Sequence, residues 1–396
     1  MTDDWQKHLS FSDRLAEISK IAAAYKTAHP DCTSAEASKH AKAEEESARR
    51  HALNADEYRE LCAKTVQLLL SSVTVPPPME DLHADEHIFP NLPTSGAHIG
   101  RFTNAEHIND GIFSEIFRAV DQEADPPKVV ALKITTPSML TPPHDSVREA
   151  RILSSIKCAQ VVPLLETFRQ QDGRFILVFP YFKHDLNVLL HERRLPPTSR
   201  RTVLRDMLSG LAYLHGQSII HRDIKPSNIL LSSPSGPALI ADFGIAWSPS
   251  DPSSEPDGTK ILDVGTTCYR PPELLFGHSG YTTKLDMWAV GCVAAQIVCL
   301  HGQTLFDAGD LGSELALIKS IFQSLGTPDV DVWPEARSMP DWGKMNFTTY
   351  PAKAWSELLP DADQDGRDLV ESLLKFESSW RLNAEDALKH PYMQHA

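Results

Sequence analysis

Cysteine is scarce in this chain, with six residues among 396 and no CxxC pair. A chain of this length can bury a sizeable core without disulfides, so scattered thiols predict a reducing, intracellular compartment, the nucleus or the cytoplasm or both. Long apolar runs are lacking too, because the longest, around residues 287–300, is shorter than the roughly 20 residues of a bilayer helix. The opening MTDDWQKHLS lacks the basic and apolar regions of a secretory signal. We therefore expect no membrane partner.

Positive charge is in deficit, with 38 Lys and Arg against 53 Asp and Glu and a formal net charge of -15. This acidic balance argues against nucleic acid and anionic lipid as partners and favours basic protein surfaces. Apolar residues at 41% and charged residues at 23% are near the average for folded proteins. Wholesale disorder is thereby excluded.

Composition divides the chain into three segments. Residues 1–75 are rich in Ala, Glu, Lys and Ser and carry apolar side chains at helical spacing, which predicts a helical extension. Residues 76–98 hold several prolines among acidic residues and are predicted to form a linker. Residues 99–393 begin with short strand candidates and turn to amphipathic helices beyond Thr198, which indicates a small β-rich lobe before a larger helical one. Within them, the Ser-, Pro- and Asp-rich stretch 248–258 is predicted to be a mobile loop.

The strongest chemical signal is the segment HRDIKPSNIL, residues 221–230. Phosphoryl transfer needs a carboxylate to take the hydroxyl proton, a cation near the migrating phosphate, and oxygen ligands for Mg²⁺. One short loop supplies all three, with Asp223 as the candidate base, Lys225 as the cation and Asn228 as a metal ligand. A polar turn after a helix is the alternative interpretation of these residues.

A second motif follows downstream, where Asp242 in ADFG comes after an apolar stretch and before a glycine that lets the backbone turn. In this order it supplies the second carboxylate for Mg²⁺. The two motifs together resemble those of the eukaryotic protein kinases. The resemblance implies an α+β fold class over residues 99–393, the bilobal protein-kinase fold with a small β-rich lobe and a larger helical lobe, and it implies ATP and Mg²⁺ as cofactors.

The same resemblance assigns roles elsewhere in the chain. Lys133 in VVALKI is expected to contact the α- and β-phosphates, and Glu149 on the next helix to hold it. Thr266 joins the catalytic residues. The stretch LVFPYFKHDL resembles the hinge between the lobes, which faces the purine and the ribose. The implied nucleotide contacts are Ile108, Gly111, Lys133, Phe179, Pro180, Phe182 and Asp185.

The nucleotide-covering loop is the poorest match, because NDGIFSEI keeps only Gly111 of the glycines in GxGxxGxV. Asn109 and Ser114 stand at the outer positions, and both are small enough for a tight turn. We expect weakened nucleotide affinity. A pseudokinase scaffold would show the same degraded loop and stays open as an alternative.

Several stretches resemble the cyclin-dependent kinases within the CMGC group, among them YRPPELLFG, LDMWAVGCV and the insert after residue 303. Members of that group phosphorylate Ser or Thr. Arg148 and Glu149 are kept, but the cyclin-contact motif in front of them is not, so cyclin dependence is doubtful. The single-subunit kinase of fungi that activates cyclin-dependent kinases fits these features, and it implies the activation-loop threonine of a cyclin-dependent kinase as substrate. A proline-directed signalling kinase is the other alternative.

The resemblance also predicts independence from activation-loop phosphorylation. Ile261 occupies the position of the activating threonine and has no hydroxyl. Of the three arginines that grip the phosphate in such kinases, Arg148 and Arg222 remain and Trp247 replaces the third. Thr259 is a nearby alternative phosphosite.

Two structural contacts follow from the same comparison. Glu273 is expected to form a buried ion pair with Arg381, and Asp286 is expected to brace the catalytic loop. Both are predicted to act on stability.

Overall fold

The computed structural model describes residues 11–28, 34–52, 54–71, 92–93, 95–111, 113–309 and 312–394. The chain divides into two compact units, Met1–His87 and Ile88–Ala396. Most of the linker predicted over residues 76–98 lies outside the described residues. Among the described helices, none has the length and apolarity that a bilayer crossing requires.

The N-terminal unit is helical, as the apolar spacing in its sequence predicts. Its helices are α1 (Phe11–Ala28), α2 (Ser34–His51) and α3 (Ala55–Ser71). Ile21, Tyr58 and Cys62 are fully buried in a small core. The buried Glu45 carboxylate accepts hydrogen bonds from the Arg14 guanidinium at 2.8 and 2.7 Å and from the Tyr58 hydroxyl at 3.0 Å. These partners offset the cost of burying the charge.

The second unit begins with an antiparallel β-sheet. Its strands are β1 (Ala97–Ile99), β2 (Phe102–Asp110), β3 (Ser114–Asp121), β4 (Lys128–Thr135), β5 (Glu166–Arg169) and β6 (Phe175–Pro180). They lie in the order β1-β2-β3-β4-β6-β5. Alternation along β4 places Val130, Leu132 and Ile134 in the core of the sheet. Ala131 and Lys133 therefore share the opposite face, which is the face toward the helices.

The larger lobe is mostly helical. Its helices, with α4 beside the sheet, are α4 (Ser146–Ser155), α5 (Leu186–His191), α6 (Arg200–Gly216), α7 (Pro272–Leu275), α8 (Lys284–Cys299), α9 (Glu314–Leu325), α10 (Trp355–Leu358), α11 (Gln364–Leu373), α12 (Ala384–Leu388) and α13 (Pro391–Gln394). The apolar stripe of α6, which includes Leu204, Met207 and Leu211, is buried. Helix α8 is buried on all sides, which explains its nearly continuous apolar sequence. The predicted bilobal α+β fold is confirmed.

A small sheet joins the two sequence motifs. It consists of β7 (His184–Asp185), β8 (Ile229–Leu231) and β9 (Ala238–Ile240), all antiparallel. The HRDIKPSN loop leads into β8, and β9 leads into ADFG. Because Ile229 pairs with Ile240, the end of the first motif lies beside the start of the second. The Ala241 N–H donates to the Asn228 carbonyl at 2.9 Å.

Candidate active site

A cleft of about 510 Å³ opens between the large sheet and the helical lobe. The predicted metal ligands Asn228 and Asp242 line it. Asp185 also caps helix α5, its Oδ1 accepting the Val188 N–H at 2.9 Å. The residues that the sequence associates with nucleotide also line this cleft, namely Ile108, Gly111, Lys133, Phe179, Pro180, Phe182 and Asp185.

Three further apolar residues of the cleft lining are not predicted by the sequence motifs. Ile116, Ala131 and Leu230 all face it. Ala131 lies two residues before Lys133 in β4, and Ile116 pairs with Lys133 across β3 and β4. Strand alternation could therefore have assigned both to the face that carries Lys133. Leu230 is brought in by the small sheet.

A cluster of charges occupies the inner end of the cleft, with Glu149 buried and Asp242 half exposed. Lys133 Nζ lies 2.8 Å from each carboxylate oxygen of Glu149 and 2.6 Å from Oδ1 of Asp242. Burial alone would lower the pKa of Lys133, but the Asp242 and Glu149 carboxylates raise it above its ordinary value. Burial would raise the pKa of Asp242, but the Lys133 ammonium holds it well below its usual range. Lys133 and Asp242 are therefore charged at neutral pH.

Two local features position this cluster. The Asp145 carboxylate caps helix α4 by accepting two backbone N–H groups of the first turn at 2.9 Å each. The Asp145 N–H donates to the Gly244 carbonyl at 3.0 Å and thereby ties the helix start to the ADFG turn. A Cβ on Gly244 would lie 3.3 Å from Asp242 Oδ1 and 3.4 Å from Lys133 Nζ, so any side chain there would crowd the charges.

The Asp223 carboxylate is held on both oxygens. Oδ1 accepts the Thr266 N–H at 3.0 Å and the Thr266 hydroxyl at 2.8 Å. Oδ2 lies 2.8 Å from Lys225 Nζ and 3.1 Å from Asn228 Nδ2. The Lys225 ammonium also donates to the Thr266 hydroxyl at 2.9 Å. These residues form one hydrogen-bonded group, although Thr266 is 43 positions from Asp223.

Asp286 of α8 holds the start of the catalytic loop, residues 221–228, in place. Its carboxylate accepts the N–H groups of His221 and Arg222 at 2.9 Å each and lies 2.9 Å from His215 Nε2. Burial would raise the pKa of Asp286, but the hydrogen bond from His215 keeps it below its usual value. Arg222 has a φ of 71°, in the left-handed region that side chains rarely adopt. The two amide contacts to Asp286 hold the backbone in that conformation.

The predicted buried ion pair is present. Arg381 Nη1 and Nη2 each lie 2.6 Å from one carboxylate oxygen of Glu273. The Arg381 Nε donates to the Lys375 carbonyl at 2.8 Å, and its guanidinium stacks 5.0 Å from the centre of the Trp288 ring. The pair joins helix α7 to the C-terminal part of the lobe.

The described residues of the nucleotide-covering loop connect β2 and β3 as an antiparallel pair despite the missing glycines. The Gly111 N–H donates to the Ser114 carbonyl at 2.6 Å, and Asp110 pairs with Glu115. A Cβ on Gly111 would lie 2.5 Å from the Ser114 hydroxyl oxygen. A side chain at position 111 would therefore force the Ser114 hydroxyl to move.

The residues at the cleft fit a divalent metal. Asn228 Nδ2 donates to the Asp223 carbonyl at 2.8 Å, which leaves the amide oxygen to act as a ligand. The Asp242 side chain is 47% exposed. Within the described ranges, no three or more His, Cys, Asp and Glu side chains are grouped as metal ligands. One carboxylate and one amide suit Mg²⁺, which takes its other ligands from phosphates and water.

Comparison with known proteins supports this interpretation of the site. The protein kinase domain family matches residues 102–393. Serine/threonine-protein kinase csk1 of Schizosaccharomyces pombe is 36% identical over 277 residues, which cover 69% of this chain and 89% of that protein. Cell division control protein 2 homolog 3 of Trypanosoma brucei brucei is 34% identical over 302 residues, or 75% and 93%. Cyclin-dependent kinase 20 of Rattus norvegicus is 35% identical over 291 residues, or 72% and 80%.

The bilobal fold, the cleft and the family match over most of the chain lead to one conclusion: this chain belongs to the protein kinase family. Its substrates are proteins, and the family uses ATP with a divalent metal. The relatives narrow the assignment further, to a cyclin-dependent-kinase-like serine/threonine kinase of the CMGC group.

Proposed function

We propose that this kinase uses Mg²⁺-ATP to phosphorylate the activation-loop threonine of another cyclin-dependent kinase, and that it acts as a single subunit. The observation that carries the single-subunit proposal is the Lys133–Glu149 ion pair, whose atoms lie 2.8 Å apart. Protein kinases need this pair for activity, and the position of the helix that bears the glutamate controls it. Here β4, α4 and the Asp145 cap form the pair through contacts within one chain.

Asp223 acts on the protein substrate in the proposed reaction. Its carboxylate takes the proton of the Ser or Thr hydroxyl as that oxygen bonds to the γ-phosphorus and the bond to the β-phosphate oxygen breaks. Lys225, beside Asp223 and Thr266, offsets negative charge on the migrating phosphoryl group. Thr266 holds the carboxylate in position through two hydrogen bonds.

The charged cluster of Lys133, Glu149 and Asp242 would bind the nucleotide. Lys133 binds the α- and β-phosphates while Glu149 keeps its ammonium aligned. Asn228 and Asp242 would hold the Mg²⁺, which neutralises charge on the phosphates when it is bound. The covering loop keeps only Gly111 of the three glycines that would let backbone N–H groups approach the phosphates, which predicts weakened nucleotide affinity.

The choice of substrate rests on two departures from the relatives. The segment in front of Arg148 and Glu149 lacks the cyclin-contact motif, and Ile261 removes the hydroxyl at the activating position. A kinase that needs neither cyclin nor activating phosphate suits a place upstream of kinases that need both. The net charge of -15 favours a basic protein surface as the docking partner.

The test is a transfer assay with the purified full-length protein, labelled ATP, Mg²⁺ and an unphosphorylated cyclin-dependent kinase. The matched control substrate is the same kinase with its activation-loop threonine changed to alanine, and a general basic protein reports kinase activity as such. We expect label on the first substrate, located by mass spectrometry at the threonine, and none on the control. Added cyclin should not change the rate.

Each alternative has its own outcome in this assay. Equal labelling of both kinase substrates would contradict the proposed specificity. A peptide panel that labels only Ser or Thr before Pro would favour a proline-directed signalling kinase. Absence of both Mg²⁺-ATP binding and transfer would favour a pseudokinase scaffold.

A further inference from the structure

The arginine that precedes the proposed base is buried and needs a counter-charge. Arg222 is 1% exposed, and its Nε donates to the Ile245 carbonyl at 2.5 Å and its Nη1 to the Tyr281 hydroxyl at 3.0 Å. Neutral acceptors do not compensate a buried guanidinium. Nη1 also lies 3.2 and 3.3 Å from the two carboxylate oxygens of Glu255. Across the part of the chain that the structure describes, Glu255 is the carboxylate that pairs with Arg222.

Three side chains converge on the backbone and carboxylate around Glu255. Besides Arg222, the Trp247 indole N–H donates to the Glu255 carbonyl at 2.8 Å, and Arg148 Nη1 donates to the Ser253 carbonyl at 3.4 Å. These are the three positions that correspond to phosphate-gripping arginines in the resembling kinases. Here they hold a segment of the chain that carries its own negative charge, and the tryptophan contributes through its N–H.

The same segment is anchored to helix α4. Arg151 Nε and Nη2 lie 2.7 and 2.9 Å from the carboxylate oxygens of Asp251. The Ser253 hydroxyl donates to Asp145 Oδ2 at 3.0 Å. The stretch 248–258, predicted to be a mobile loop because it has little apolar surface, is held by polar contacts to a distant helix. The prediction considered apolar burial alone and did not foresee these contacts; the mobility of the stretch stays a prediction.

Ile261 and Thr259, the two residues considered for the position of the activating phosphate, do not hydrogen-bond to Arg222 through their side chains. Ile261 packs, partly buried, against the apolar cluster that includes Trp247 and Tyr281. Thr259 is exposed, and its hydroxyl donates to the Pro256 carbonyl at 3.2 Å. The negative charge that faces Arg222 therefore comes from a carboxylate encoded in the sequence.

We propose that Glu255 is a built-in positioning residue that does for this kinase what a phosphorylated activation loop does for its relatives. The Glu255 carboxylate fixes Arg222, which is one peptide from Asp223, and its segment fixes α4, which carries Glu149. A carboxylate has fewer oxygens than a phosphate, and Arg222 Nη2 and Arg148 Nε are accordingly buried without a hydrogen-bond partner among the described residues. This inference rests on the proposed kinase function.

The first arm of the test is kinetic and uses the full-length chain. Glu255→Gln removes the charge at constant volume, and Glu255→Asp keeps it on a shorter side chain. Asp263→Asn, which removes an exposed charge a few residues beyond the segment, is the matched control. We expect Glu255→Gln to lower kcat about 10- to 100-fold, as displaced catalytic groups do, with a smaller change in KM for ATP through α4 and Glu149. Glu255→Asp should recover part of the loss, and Asp263→Asn should match the wild type.

The second arm does not depend on turnover. Backbone hydrogen exchange over residues 146–155 and 248–263 should speed up in Glu255→Gln and stay unchanged in Asp263→Asn. Wild-type kcat in Glu255→Gln, unchanged exchange, or a loss of kcat matched by an equal loss of folded protein would overturn the proposal. A wild type that transfers phosphate to no protein would instead refute the proposed function, and hydrogen exchange would still decide the role of Glu255.

Discussion

Replacing Asp223 by Asn separates the proposed base from the rest of the site. The side chain keeps its volume but loses the charge that lies 2.8 Å from Lys225 Nζ. In the wild type the Asp223 carboxylate accepts four contacts from donors of Thr266, Lys225 and Asn228. In the variant an NH₂ group replaces one of the two accepting oxygens. At least one of these contacts becomes donor against donor, so the loop loses both the base and part of its order.

The expected loss is large in turnover and small in nucleotide binding. A general base contributes about 10²–10⁴ in rate, which corresponds to roughly 2.7–5.4 kcal/mol of transition-state stabilisation. The loss of a hydrogen bond to a charged group should lower the free energy of unfolding by about 1.5–3 kcal/mol. Affinity for Mg²⁺-ATP should stay near that of the wild type, because the contacts of Lys133 with Glu149 and Asp242 do not involve Asp223.

The assay compares Asp223→Asn with the wild type and with Asp263→Asn as the control. Steady-state transfer from labelled ATP gives kcat, calorimetry gives the affinity for Mg²⁺-ATP, and denaturant titration gives the free energy of unfolding. Turnover of Asp223→Asn at the wild-type rate would refute the assignment of the base. Loss of ATP affinity in parallel with kcat would show that Asp223 acts on the nucleotide side instead.

Other perturbations test the remaining parts of the molecule. Lys133→Met should weaken both Mg²⁺-ATP binding and turnover, and unchanged calorimetric affinity with unchanged turnover would exclude the phosphate contact. Glu273→Gln should lower the free energy of unfolding by about 3–5 kcal/mol, because it leaves buried Arg381 without its counter-charge; a loss within experimental error in denaturant titration would contradict this. Protein made in bacteria and shown by mass spectrometry to be unphosphorylated should be active, as should Thr259→Ala; activity that appears only after Thr259 is phosphorylated would show the opposite. A chain without residues 1–87, a unit with its own core, should keep catalysis, whereas an inactive or insoluble fragment would indicate that the extension stabilises the kinase domain.

Prediction from the sequence works best for residues that are close together along the chain, because their separation in sequence limits their distance in the structure. Asp223, Lys225 and Asn228 fall within one short loop, so their chemistry can be inferred from their order, and the structure places them in one hydrogen-bonded group. The buried stripe of α6 follows from its helical spacing in the same way. The covering hairpin is another local feature, since the Gly111 N–H closes it on the nearby Ser114 carbonyl.

The sequence by itself determined the α+β architecture, the kinase motifs and the absence of a hydroxyl at Ile261, because each depends on residue type and local periodicity. Only the tertiary structure decided that Glu255 faces Arg222 and that Arg151 meets Asp251, a residue 100 positions away. The stretch between the ADFG motif and Ile261 has no periodic pattern from which its path could be predicted. Contacts within the stretch shape it, but its position depends on charges on α4 and on Arg222, and these come within reach only once the lobes have folded around them.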